Sequence, residues 1–124
     1  MARRVIHLVL LVSAEPERLQ RRRQVVRDAG YYAVPAHAVD HALVLARKAR
    51  PSVVIADVDL GDERAFALLQ ALRELEPLQG VHVILLGVLT PEEQVHLAHD
   101  PHARGHPDDD ETELVALLHD VLAA

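Results

Sequence analysis

The residues best suited to chemistry lie in the stretch VVIADVDLGDERAF, Val53 to Phe66. Three branched apolar residues run into Asp57 and Asp59, a turn glycine follows at Gly61, and Asp62 and Glu63 come next. A strand built for burial that ends in carboxylates must solvate them in a cleft, pair them with a cation, or keep them charged for a purpose. Asp57 beside Asp59 is expected to feel like-charge repulsion and partial desolvation, so that Asp57→Asn would leave stability unchanged or slightly raised. Asp59, Asp62 and Glu63 read most simply as an acidic turn.

Two further clusters compete for attention. In HLAHDPHARGH, His96, His99, His102 and His106 recur at three- and four-residue steps. Imidazoles suit Zn²⁺, Ni²⁺ or Cu²⁺, but Pro101 breaks the helix, so the four need not converge; polar surface is the simpler reading. The first helix carries Arg18, Arg21, Arg22, Arg23 and Arg27 around Leu19, Val25, Val26 and Ala29. A solvated basic face is expected there, its stems snorkelling to water. Alternatively these arginines dock an acidic partner, or the acidic PDDDETE segment of a second copy. Ser13 and Ser52 lack nucleophile-elbow glycines, and no glycine-rich loop marks a nucleotide site. Nothing here reads as an enzyme.

The elements that must position these residues alternate between apolar strand-like runs and helix-period segments, which means α/β. Strands are expected over Val5–Val12, Tyr31–Val34, Ser52–Ala56 and Val81–Leu86. Helices are expected from Pro16 to a stop at Gly30, over Val39–Ala49, over Ala65–Glu74, and from Pro91 to about Ala98 behind a Thr90/Glu93 capping box. A last helix is expected from near Asp110 through LVALLHDVLAA. The segment DPHARGHP stands where a fifth strand belongs but has almost no apolar content.

Length and composition set the bounds. A chain of 124 residues suffices for one core, so residues 1–124 are read as a single domain. No apolar run approaches a membrane span, and cysteine is absent, which excludes disulfides and thiolate metal sites. A cytoplasmic location is the simplest expectation. Nucleic acid is a poor partner for a chain of net charge -6 whose only aromatic rings of the Phe/Tyr/Trp kind are Tyr31, Tyr32 and Phe66.

Such a β-α repeat forms a doubly wound parallel sheet that binds ligands outside the carboxyl ends of its strands. From Val5 to Leu122 the chain resembles the receiver domain of bacterial two-component response regulators, a flavodoxin-like fold of strand order 2-1-3-4-5. The run GYYAVPAHAVDHALVLARKARPSVVIADVDLGDERAFALLQALR carries the resemblance without a gap. It implies that Asp57 is the phosphoacceptor position, and that most of the remaining family site is replaced. Ser13 and Ala14 stand where the family has the acid pair that holds Mg²⁺, with Glu15 one residue on. Gly87 replaces the Thr or Ser of strand four, His106 the lysine before Pro107, and Ala103 the aromatic switch.

Phosphoryl transfer depends on positioning and on cations that absorb charge, and Mg²⁺ needs several hard oxygen ligands. Asp57, Asp59 and Glu15 are the remaining weak metal candidates, so no cofactor is expected. The resemblance therefore implies a degenerate receiver, a pseudo-receiver, that works as a protein-interaction module in signal transduction independently of phosphorylation. The alternative is a true phosphoacceptor receiver of a phosphorelay, phosphorylated on Asp57 with a makeshift Mg²⁺ site. The expected contact, to a partner or a second copy, is the face formed by the fourth helix, fifth strand and last helix. Val95, His96, His99, His102, Leu118, His119 and Leu122 lie there, and histidines would make association depend on pH near neutrality.

Overall fold

The computed structural model describes residues 7–107 and 111–122. Five parallel strands, β1 (Leu8–Val12), β2 (Tyr32–Ala36), β3 (Val53–Asp57), β4 (His82–Leu86) and β5 (Ala103–His106), form one sheet of order β2-β1-β3-β4-β5. Five helices connect and follow them: α1 (Pro16–Asp28), α2 (Val39–Ala49), α3 (Ala65–Glu74), α4 (Pro91–Ala98) and α5 (Leu114–Leu122). This is the flavodoxin-like α/β architecture expected from the alternating pattern.

The two faces of the sheet are sorted by the period-2 alternation of strand side chains. Val9, Leu11, Val53, Ile55, Ile84 and Leu86 pack with Leu19 and Val26 of α1 and Leu114, Leu118 and Val121 of α5. Leu10, Val12, Val54, Ala56, Val83 and Leu85 pack against α2, α3 and α4. Strands buried on both faces need near-continuous apolar sequence, which is what β1, β3 and β4 supply.

Boundaries differ from expectation by small amounts. Val5 and Ile6 of the first strand, and Asp110, the expected start of the last helix, lie outside the described residues. A short 3₁₀ turn at Glu111–Glu113 precedes α5, which begins at Leu114. α1 ends at Asp28, two residues before Gly30. β2 runs through Pro35 to Ala36, because an edge strand tolerates a residue with no N–H to donate. β3 extends one residue further than expected, so that Asp57 itself pairs with Leu86.

The weakly apolar DPHARGHP segment does supply β5, in parallel register with β4 from Val83↔Ala103 to Leu86↔His106. Its position at the sheet edge explains its composition: the backbone ladder holds it on one side while Arg104 and Gly105 face solvent. α4 starts as the sequence indicates. Thr90 Oγ1 accepts the Glu93 N–H at 3.1 Å and Glu93 Oε1 accepts the Thr90 N–H at 2.8 Å, completing the capping box. Thr90→Ala removes one half of this exchange and is expected to cost about 1 kcal/mol in urea unfolding.

Candidate functional site

Asp57 ends β3 on the same face as Val53 and Ile55, so its carboxylate turns toward α1. It is almost fully buried, at 4% exposure. Three donors converge on it. Arg22 Nη1 donates to Oδ1 at 2.6 Å, Ser13 Oγ donates to Oδ2 at 2.6 Å, and Arg18 Nη1 reaches Oδ2 at 3.3 Å. Ser13, at the end of β1, is itself fully satisfied, since its Oγ also accepts the Glu15 N–H at 3.2 Å.

The two arginines sit four residues apart on α1, hence on one helix face. Arg22 occupies the buried stripe between Leu19 and Val26 and is 1% exposed. The expectation of a solvated basic face is therefore corrected for Arg22 and Arg18: the snorkelling runs inward, to the carboxylate, rather than outward. Arg21 and Arg22 also approach Glu111 Oε1 at 3.8 and 3.9 Å, so an acid of the PDDDETE segment meets these arginines within the same chain. The expected repulsion at Asp57 is likewise corrected. Asp59 is exposed and turned into its own loop, its Oδ1 accepting the Gly61 N–H at 3.0 Å, while two guanidiniums flank Asp57.

A cleft of about 270 Å³ opens over this arrangement, lined among others by Arg18, Asp57, Asp59, Arg64 and Gly87. Glu15 stands at the rim with its carboxylate on Arg18 Nη2 at 2.8 Å, and Ala14 is exposed. Ala103 faces the α3/α4 side as part of that core. His106 shares a register level with Leu86 and Asp57, but its Nε2 faces Glu113 Oε2 at 3.2 Å, without hydrogen-bond geometry. The structure thus gathers Ser13, Asp57, Asp59, Gly87 and, through Arg18, Glu15; Ala103 and His106 serve other surroundings.

The donor set was tested against Mg²⁺, the ion the fold family implies. Both Asp57 oxygens are engaged by donors, Glu15 is bound to a guanidinium, and two fixed cations flank the position a dication would take. These residues do not fit the ion, which needs hard oxygen ligands and excess negative charge.

Sequence reasoning missed Arg64. It precedes α3 and forms a two-pronged pair with Glu93 of α4, Nε to Oε2 and Nη2 to Oε1, both at 2.8 Å, while Nη2 also reaches the Val88 carbonyl at 3.3 Å. The α4 entrance is thereby tied to the loop after Asp57. Glu93 is buried, and its hydrogen bonds from Arg64 hold its pKa down to about 2, against the opposing push of burial.

His96 of α4, His99, His102 and His106 of β5 do not converge. His96 packs on Phe66, with centroids 5.2 Å apart, and His102 meets His82 of β4 at 5.2 Å. Among the described residues no three His, Asp or Glu side chains are placed to hold a metal. On the expected contact face, Val95 is exposed but Leu118 is core, fully buried against the sheet, so Leu118 is removed from that surface.

No protein-family model matches the chain, and no curated protein matches it in sequence. Solved structures do. The chemotaxis response regulator CheY4 of Vibrio cholerae is 25% identical over 95% of this chain and 100% of its own, with a TM-score of 0.78. The same protein crystallised at low pH gives 24% identity, the same coverage and a TM-score of 0.85. A CheY-like response regulator receiver domain protein from Methanospirillum hungatei is 19% identical over 96% of this chain and 95% of its own, with a TM-score of 0.83. The class that the fold defines is the response regulator receiver domain. In this chain the Asp57 carboxylate meets a guanidinium and a hydroxyl.

Two measurements follow. Asp57→Ala leaves Arg22 buried without its carboxylate and is expected to destabilise the domain by about 3–5 kcal/mol in urea unfolding, the scale for breaking a buried pair. An unchanged midpoint would show that the pair contributes nothing. For Glu93, a depressed folded pKa means that its stabilising share is complete above the unfolded value of 4.5 and declines as pH falls toward about 2. Acid unfolding of Glu93→Gln should therefore lack part of the wild-type slope between those pH values.

Proposed function

We propose that the protein is a degenerate receiver domain, non-enzymatic and independent of phosphorylation, that acts in signal transduction through a constitutive protein-binding surface. The observation that carries this reading is the Arg22–Asp57 contact at 2.6 Å within a buried site. A phosphoacceptor carboxylate must present a free oxygen to the incoming phosphorus and share a divalent cation with the phosphoryl oxygens. Here both oxygens carry donors, and the charge that Mg²⁺ would neutralise is already neutralised from within the fold. With no Mg²⁺ role and no cofactor, Asp57 becomes a structural anchor at the former acceptor position.

The surface we assign to partner contact is the α4-β5-α5 face. It is supported by Val88 and Val95, which are 80% and 62% exposed, beside the Arg64–Glu93 pair that holds the start of α4 in place. The exposed arginines of α1, Arg23 and Arg27, form the second surface for a protein partner or second copy. The competing reading, a phosphoacceptor with a makeshift Mg²⁺ site, draws on the cleft of about 270 Å³ that leads to Asp57.

One experiment separates the two. The protein is treated with a small phosphodonor, or with beryllofluoride, in millimolar Mg²⁺, and followed by intact mass and thermal midpoint. No mass gain and no Mg²⁺-dependent rise in midpoint are expected, since a ligand stabilises only above its dissociation constant. A phosphoryl adduct or a midpoint rise that disappears in Asp57→Asn would overturn the proposal in favour of the phosphoacceptor.

A further inference from the structure

The acceptor cleft lies at the carboxyl ends of the strands. At the opposite end of β4, about 13 Å of strand away, a second cavity of about 190 Å³ opens where β4 and β5 begin. His82, His102 and Arg104 line it, and Val121 of α5 closes one side. The two imidazoles meet edge to face, centroids 5.2 Å apart at 78°. The cavity is far larger than the space one water needs and has room for a tetrahedral oxyanion.

The charges around it come in pairs. Arg73 on α3 is held by Asp100, Nε to Oδ2 at 2.8 Å, and donates through Nη2 to the His102 carbonyl at 3.3 Å. Asp100 Oδ1 takes the His102 backbone N–H, and Asp120 on α5 takes Arg104 Nη1 at 2.5 Å. Both acids therefore face guanidiniums. Burial first, then His102, Arg104 and Arg73, lower the His82 pKa below 6.5. With both acids engaged by guanidiniums, no third ligand stands with the two histidines among the described residues, and the lining offers imidazole and guanidinium N–H groups.

We propose that this cavity binds a small oxyanion of the phosphate type between His82, His102 and Arg104. The anion accepts from imidazole and guanidinium N–H groups, and charge-assisted bonds of this kind are stronger than neutral ones. Binding draws a proton onto His82, because a nearby negative charge favours the imidazolium. The site shares no residue with the Asp57 cleft.

Imidazole proton and nitrogen resonances of the intact chain report the outcome. The protein is titrated with inorganic phosphate and, at matched ionic strength, with sodium chloride, alongside Arg104→Gln and His102→Gln variants whose folding is checked by circular dichroism. Phosphate should shift the His82 and His102 resonances saturably and raise the His82 titration midpoint. Arg104→Gln should raise the phosphate needed by about fivefold, the effect of one lost hydrogen bond. A parallel titration with O-phosphoserine distinguishes the sources: tighter binding than inorganic phosphate identifies a phosphomonoester, weaker binding the free anion, and either sustains the site. Equal shifts with chloride, a phosphate response indifferent to both variants, or a saturable response to Zn²⁺ in place of phosphate would overturn it.

Discussion

The buried pair between Asp57 and Arg22 is the constraint around which the rest of this domain is arranged. A carboxylate taken out of water at the end of a central strand is tolerated only with a cation and hydrogen bonds to meet it. In this chain the cation comes from α1, one of whose core positions is given to arginine between Leu19 and Val26. The helix is thus fastened to the sheet by charge as well as by apolar packing, and β1 contributes Ser13 to the same carboxylate. The end of β1, helix α1 and the end of β3 meet at one group.

A second ion pair sets the other side of the cleft. Arg64 leaves α3 without a side-chain N-cap and spends its guanidinium on Glu93 and the Val88 carbonyl. Glu93 then serves two structures at once, the α4 capping box and the tie to α3. Between them the two pairs join the loops after β1, β3 and β4 by contacts that need no external ligand. Internal ion pairs and hydrogen bonds thus hold these loops to one another.

Much of the architecture was legible from sequence because it rests on local signals. Periodicity located the strands and helices, and Thr90, Pro91 and Glu93 announced the start of α4. β5 was faint because an edge strand needs little apolar content, its register being imposed by β4. Asp57 stood out as a carboxylate at a buried strand end. Its partners did not, since arginines in a helix look solvated until the sheet is placed beneath them. The one available sign was that Arg22 falls three residues after Leu19 and four before Val26, a core position. Arg64–Glu93 spans 29 residues and left no local trace.

Gly87 shows how far this arrangement reaches into the backbone. It holds a φ of +129°, and a Cβ built there would lie 3.3 Å from Val58 Cβ. A hydroxyl-bearing side chain at this position would demand a different path for the chain between β4 and α4, a path now pinned by Arg64 at the Val88 carbonyl. Placing a side chain at this position is consequently not a matter of exchanging a single residue. The glycine and the Arg64 contact share one loop, so that a change made at either meets a backbone already shaped by the other.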